Sequence, residues 1–179
     1  MPKIYTKTGD TGETSLYCGK RISKDDYIFD ILGNIDELSC RIGFLYSLIN
    51  TSEINISFNL KDIQQNLQHI NSIIATENPI KQKKLIRIDE NDVNFLELTI
   101  DNIEKNNLKL TTFILPGENM KDAQSHLCRT QTRLVERLLW NFYKRKDIMN
   151  SQLDFHYTLK YINRLSDFFF VLARFLSKN

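Results

Sequence analysis

The sequence predicts an all-α fold, a five-helix up-and-down bundle carrying a polar N-terminal arm. Two observations carry this. Apolar residues recur at alternating spacings of three and four in five successive segments, the period of a helix with one buried stripe. The run Lys3-Ile-Tyr-Thr-Lys-Thr-Gly-Asp-Thr-Gly-Glu-Thr-Ser15, by contrast, holds too few apolar side chains for a helix face or a buried strand. At 179 residues the chain suits one well-buried core, so residues 1–179 form a single domain, with 1–25 as the arm and 26–179 as the bundle.

The first stripe is Ile31, Ile35, Leu38, Ile42, Leu45 and Ile49, on a helix from about Asp26 to Ile49. Leu60, Ile63, Leu67, Ile70 and Ile74 repeat it, and that helix should stop before Asn78-Pro79, because proline lacks an amide hydrogen and restricts its predecessor. The charged stretch from Lys81 to Glu90 reads as a surface loop. Val93, Leu96, Ile100 and Ile103 mark a shorter helix closed by Asn106-Asn107. Leu110 to Leu115 favours extended backbone and ends at Pro116-Gly117. The fourth long helix should turn Ala123, Leu127, Thr130, Leu134 and Leu138 inward. The last should start at caps within Ser151 to Asp154 and bury Leu159, Ile162, Leu165, Phe169, Leu172 and Leu176. Phe168 and Phe170 widen its apolar face beyond one stripe, which fits either a subunit interface or wide burial within one chain. No paired strands are expected.

Charge and composition narrow the function. Twenty-four basic and 22 acidic residues leave a formal net charge of +2, which argues against nucleic-acid binding by bulk charge. There is no apolar run of about 18 residues, so no membrane span is expected, and Met1-Pro-Lys lacks the apolar region of a signal peptide. A cytoplasmic protein is the expectation, or a mitochondrial one if a presequence is missing from this sequence. Cys18, Cys40 and Cys128 are odd in number and widely spaced, and His69, His126 and His156 form no His-Glu-x-x-His pattern, so no metal site built from protein ligands is expected.

The arm combines hydroxyls, ammonium groups and two closely spaced glycines, the composition of a loop that wraps anionic oxygens, although a flexible terminal arm has the same composition. Gly9 and Gly12 match neither a Walker A loop nor a dinucleotide fingerprint. Arg129, Arg133 and Arg137 stand four apart on one helix, where like charges repel by a few tenths of a kcal/mol per pair. Either solvent or a polyphosphate offsets that repulsion, and guanidinium groups clamp phosphate oxygens in bidentate fashion. Asp36 sits one position past the apolar stripe, at the rim of the core or on a wet face beside Glu37. Nothing in the spacing separates Phe113 from core filler. Asn163, Arg164, Ser166 and Asp167 place polar groups in an otherwise apolar helix and need partners, either a nucleotide or a neighbouring helix. Asp154-Phe-His156-Tyr-Thr-Leu159 begins like a cobalt-ligating Asp-x-His-x-x-Gly motif, but Leu159 stands where glycine is needed, and His156 reads as a helix-start residue.

Thr6-Lys-Thr-Gly-Asp-Thr-Gly-Glu-Thr14, Gly33-Asn-Ile-Asp-Glu-Leu-Ser39, Phe113-Ile-Leu-Pro-Gly117, His126-Leu-Cys-Arg129 with Arg133 and Glu136-Arg137, and Asn163-Arg-Leu-Ser-Asp167 follow one another along the chain. In this order they resemble the PduO-type ATP:corrinoid adenosyltransferase family, from Lys3 to about Arg174. The resemblance implies transfer of the 5'-deoxyadenosyl group of ATP to the cobalt of cob(I)alamin, giving adenosylcobalamin and inorganic triphosphate. It implies ATP and cobalamin as substrates with Mg²⁺, a homotrimer whose sites use neighbouring subunits, and a cob(II)alamin reductase and an adenosylcobalamin-dependent enzyme as partners. Thr6, Lys7, Thr8, Gly9, Thr14, Ser15, Lys24, Arg133, Glu136, Arg137 and Asn163 are implied to hold ATP. Asp36 paired with Arg129 is implied to shape the corrinoid side. Phe113 is implied to pack beneath the corrin and displace the lower axial ligand of cobalt, which brings reduction of Co(II) within reach.

The chain departs from the family at Glu118, where a second glycine is common, and at Leu134-Val135, where Arg-Ala is usual. It also has little tail after the last helix. A non-catalytic nucleotide- or adenosylcobalamin-binding carrier, or a helical adaptor docking an acidic partner through its arginines, are the competing classes. Asp36, Phe113 and Arg129 argue against a mere nucleotide sensor, which needs none of them.

Overall fold

A computed structural model describes residues 4, 5, 7–17, 19–49, 60–145 and 155–178. Two short strands, β1 (Glu13–Ser15) and β2 (Arg21–Ser23), precede the helices α1 (Tyr27–Leu48), α2 (Leu60–Ile74), α3 (Pro79–Gln82), α4 (Glu90–Glu104), α5 (Met120–Tyr143) and α6 (His156–Leu176). The expectation of a purely helical chain without paired strands is therefore corrected. Thr14 pairs with Ile22 in an antiparallel hairpin, and Leu16 buries itself at its turn, where Gly19 takes a φ of 90°. The hairpin is fastened to the end of α2, through Tyr17 N donating to Ala75 O at 3.2 Å and Lys20 Nζ meeting Glu77 at 2.8 Å. Backbone pairing in this arm was hidden because each strand is only three residues long, too short for its alternation to register in the sequence.

α1 starts where Asp26 accepts from Ile28 N at 3.0 Å and buries Ile28, Ile31, Ile35, Leu38, Ile42 and Leu45. α2 buries the expected stripe and ends before Asn78-Pro79. The same pair opens the extra short helix α3: Asn78 Oδ1 accepts from Ile80 N and Lys81 N, and Pro79 occupies the first helical position, where its missing N–H is harmless. The predicted loop from Lys81 is thus partly helical. A reciprocal cap between Asp89 and Asp92 begins α4, which buries Val93, Leu96, Thr99 and Ile103, with Ile100 partly covered.

α5 corrects the predicted inward face. Leu127 is 46% exposed and Thr130 is exposed, Ala123, Leu134 and Leu138 are half-buried, and Ser125, His126, Cys128, Thr132, Val135, Leu139 and Phe142 are buried. Small side chains let α5 approach α6 closely, and Ser125 Oγ donates to Phe169 O at 2.8 Å. α6 begins at His156, with Phe155 in the capping position and no side-chain cap; the caps expected within 151–154 lie outside the described residues. Its wide apolar face is covered within the chain: Phe168 and Phe169 are fully buried, ring to ring at 5.1 Å. Phe170, the other flank of that face, is half-buried against the core.

The helices pack in the order α2, α1, α5, α6, α4, so α4 lies chiefly on α6 rather than on its successor α5. Asn66 of α2 closes the bundle, donating to Asp92 of α4 and to the Tyr161 hydroxyl of α6 at 3.2 and 3.3 Å. No described helix is long and apolar enough to cross a membrane.

Candidate functional site

Three groups of predicted site residues occupy different parts of the bundle. The first is the arm. Lys7 adopts a left-handed φ of 59°, and the chain turns back through Asp10 N to Lys7 O and Gly12 N to Gly9 O, both 3.4 Å. Arg21 tightens this loop, its Nη2 donating to Thr8 O at 2.8 Å and its Nε to Glu13 Oε2 at 3.3 Å. Lys24 N donates to Gly12 O at 2.9 Å, and a β-carbon at Gly9 would lie 3.2 Å from Lys24 Nζ, so the ammonium rests on the loop where glycine leaves room. Thr8 and Ser15 are exposed and Thr14 is half-buried. Thr6 lies outside the described residues.

The second group is the outer face of α5 and the facing part of α6. Because small residues turn inward, Arg133 and Arg137 are exposed and Arg129 and Glu136 half-buried. Arg137 Nη1 donates to the Arg133 carbonyl at 3.1 Å. Across the groove, Asn163 Nδ2 donates to Glu136 Oε1 at 2.9 Å. Asn163 Oδ1 accepts from Arg164 Nη1 at 2.7 Å, and Arg164 Nε donates to Glu97 of α4, also at 2.7 Å. The amide of Asn163 is thus oriented from both ends, leaving one N–H and one lone pair for a ligand. Arg164, read from the sequence as able to reach a nucleotide, is instead engaged by Glu97 and Asn163. A cavity of about 320 Å³ opens here, lined by Glu136, Trp140, Tyr143, Lys160 and Asn163 among others. His156 borders it as the exposed first residue of α6. Burial raises the Asp167 carboxyl above its ordinary range, with Arg164 opposing and Glu136 adding to the shift.

Arg129 Nε donates to His126 Nδ1 at 3.2 Å. Burial, and then the charge of Arg133, hold its pKa below the usual arginine value. A cation placed under that strain favours an anionic partner. Its expected partner Asp36 is exposed on α1 and lines a groove of about 580 Å³ between α1 and α2, with Ser39, Lys61, Gln64 and Asn71. No ion pair joins Asp36 and Arg129 among the described residues of one chain.

The third group is the segment between α4 and α5. Phe113 is 103% exposed there, with Leu108, Leu110, Leu115 and Met120 also exposed nearby. The core-filler reading of Phe113 is thereby overturned. A ring held wholly in water at an apolar strip marks a surface for something apolar. Gly117 takes a φ of 117°, whereas Glu118 takes no positive φ, so a side chain at 118 is accommodated without backbone strain.

The sequence missed Glu97, which lies far along the chain from the Arg164 it engages, and also Arg21 and Trp140, which stand within four residues of Lys24 and Arg137 but carry no spacing signal of their own. His126 carried a signal, its three-residue spacing from Arg129 on one helix.

Residues 4–176 match the cobalamin adenosyltransferase family. The chain is 34% identical over 174 residues to a corrinoid adenosyltransferase of Citrobacter freundii, covering 97% of this chain and 94% of that protein. It is 35% identical over 178 residues to the corrinoid adenosyltransferase MMAB of Bos taurus, covering 98% of this chain and 71% of that protein. Among solved structures, a phenylalanine-to-alanine variant of a PduO-type ATP:corrinoid adenosyltransferase from Lactobacillus reuteri, complexed with cobalamin and ATP, superposes with a TM-score of 0.84 at 32% identity, covering 98% of this chain and 94% of that one. An arginine-to-lysine variant of such an enzyme from the same organism, complexed with ATP, gives 0.82 at 33% identity, again covering 98% and 94%. Sequence and fold agree along nearly the whole chain, and it belongs to the cobalamin adenosyltransferase family.

Proposed function

We propose that this chain is an ATP:corrinoid adenosyltransferase that transfers the 5'-deoxyadenosyl group of ATP to the cobalt of cob(I)alamin, forming adenosylcobalamin and inorganic triphosphate. The observation that carries this is the likeness, over 98% of the chain, to a structure complexed with both cobalamin and ATP. Co(I) is itself the nucleophile. Its electron pair attacks C5', the C5'–O bond breaks, and the triphosphate leaves with the bonding pair, so no protein nucleophile or base is required at the reacting carbon. The protein's part is to position the reactants and stabilise the departing charge.

Arg133, Arg137 and Lys24 are the cations for the triphosphate, with Lys7 to Gly9, Thr14 and Ser15 as the loop that wraps it and Thr6 completing the loop. Mg²⁺ would ride on the phosphate oxygens, keeping several waters, as is usual for that ion. Glu136 and Asn163, locked by their mutual hydrogen bond, face the nucleotide. Phe113 packs beneath the corrin and keeps a donor away from the lower face of cobalt; an apolar ring suits this because it cannot coordinate.

The hairpin is fastened near α2 while the arginines stand on α5, and Asp36 lines the groove between α1 and α2 while Arg129 is engaged by His126 on α5. Both separations support a homotrimer in which the arm and Asp36 of one copy meet α5 of the next. A cob(II)alamin reductase and an adenosylcobalamin-dependent enzyme are the partners in keeping with this chemistry, in the cytoplasm or, behind a presequence, in mitochondria.

The test is a visible spectrum of the protein with ATP, Mg²⁺, cob(II)alamin and a reductant. Growth of the adenosylcobalamin absorption, with triphosphate released in equal amount, is expected. Triphosphate release without cobalt–carbon bond formation would overturn the assignment. Light scattering should return three times the 21.1 kDa chain mass, and a fully active monomer would overturn the shared site.

A further inference from the structure

We infer that Arg174, near the end of α6, is a positioning residue for Phe113, which makes the last turns of α6 the mount of the corrinoid's lower face. The inference rests on the proposed function and adds a residue outside the proposed substrate contacts.

Arg174 is only 7% exposed, a rare state for a charge. Its guanidinium meets both carboxylate oxygens of Glu104, at the end of α4, at 2.5 and 2.6 Å, and also donates to the carbonyl of Leu108. Glu104 is held below its ordinary pKa, chiefly by this bond. Asn107 Nδ2 adds a bond to Val171 O at 3.0 Å. These contacts fix the start of the segment that carries Phe113.

The other end is tied to the same helix. Asn119 caps α5 with its Oδ1, accepting from Lys121 N at 2.9 Å and Asp122 N at 3.0 Å, while its Nδ2 donates to Leu176 O at 2.8 Å, a carbonyl in the last turn of α6. Gly117 N is held in turn by Asp122 Oδ2 at 3.3 Å. Phe113 is thus presented to solvent from a segment whose two ends are bonded to one helix terminus.

The same guanidinium reaches the other part of the site. It lies over the Phe170 ring at 5.8 Å, Phe170 packs on His126 at 6.2 Å between centroids, and His126 accepts from Arg129. The planar guanidinium holds two separate nitrogens in a fixed fork, Nη1 on the carboxylate and Nη2 on the carbonyl; the single ammonium of a lysine at 174 would lose that fork.

The test uses the full chain with ATP and cob(II)alamin, reading the four-coordinate Co(II) fraction by electron paramagnetic resonance. Arg174→Met keeps an apolar stem. It should lower that fraction and cut the rate with a weak reductant by about tenfold, the scale of a lost charge-assisted bond. ATP affinity by calorimetry and the rate with preformed cob(I)alamin should stay near wild type. Arg174→Lys should restore only part of the loss. Asn119→Ser, which keeps a capping hydroxyl but drops the Leu176 tie, should shift the fraction the same way even if Arg174→Met does not fold. A wild-type four-coordinate fraction in both Arg174→Met and Asn119→Ser would overturn the inference. So would equal losses of ATP binding and of both rates, the mark of a merely structural residue. Failure of the wild-type protein itself to form four-coordinate cobalt would instead overturn the role of Phe113 and with it the proposed reading.

Discussion

Arg129 donates through Nε to Nδ1 of His126, one turn earlier on α5, over 3.2 Å. An acceptor nitrogen carries no proton, so His126 is neutral with its hydrogen on Nε2. Burial, and then the Arg129 charge, lower its pKa, while Asp122 opposes them weakly. The arginine assigned to the corrinoid side is thereby aimed by a residue that must stay deprotonated.

A pH dependence follows. A histidine whose folded pKa lies below its unfolded value of 6.5 binds fewer protons folded than unfolded. Its contribution is therefore fully present above pH 6.5 and is lost as pH falls toward the folded value. Thermal melts from pH 7.5 downward should show wild type losing stability faster than His126→Gln, which offers a non-titrating acceptor. Parallel slopes for the two proteins would refute the neutral-histidine role.

For Phe113, exposure separates function from stability. Phe113→His should leave the melting temperature within error, because no buried surface is lost. With a weak reductant it should adenosylate hardly at all, since imidazole supplies the donor that Phe113 excludes, and preformed cob(I)alamin should restore much of the rate. Full activity under the weak reductant would end the ligand-displacement reading.

Arg137 is exposed, so its removal tests the phosphate clamp without disturbing the core. Arg137→Ala should weaken ATP binding by about 1.5–3 kcal/mol, the range for hydrogen bonds to charged groups. Helical circular dichroism should be unchanged. Equal ATP affinity in calorimetry would return the arginines to a solvated basic face.

The two faces of α5 are separable by stability alone. Leu139→Ala, at a fully buried position, should cost about 2–5 kcal/mol in chemical denaturation, whereas Leu127→Ala should cost little. The reverse order would restore the face expected from the leucine spacing.

That rotation of α5 shows where sequence reasoning stops. Leucines at 127, 134 and 138 read as a core stripe because area counting favours large aliphatic groups. In the bundle, close approach of α5 to α6 is worth more, and Ser125, Cys128 and Thr132 permit it. The periodicity of α1, α2 and α4, in which large aliphatic residues form the buried face with Thr99 of α4 the exception, was legible with nearly every position correct.

Sequence alone determined the five long helices, the apolar stripes of all but α5, the blocks that resemble a corrinoid adenosyltransferase, and the residue types of an anion site. Each depends on neighbours a few positions apart, where helical geometry fixes relative placement. Only the tertiary structure decided that Phe113 is in water, that Phe168 and Phe169 are spent inside the chain, that Asn163 is oriented by Glu136 and Arg164, and that Arg174 holds the Phe113 segment. These depend on contacts between helices far apart along the chain, where packing, burial and hydrogen-bond satisfaction choose among many pairings that the local pattern leaves equal.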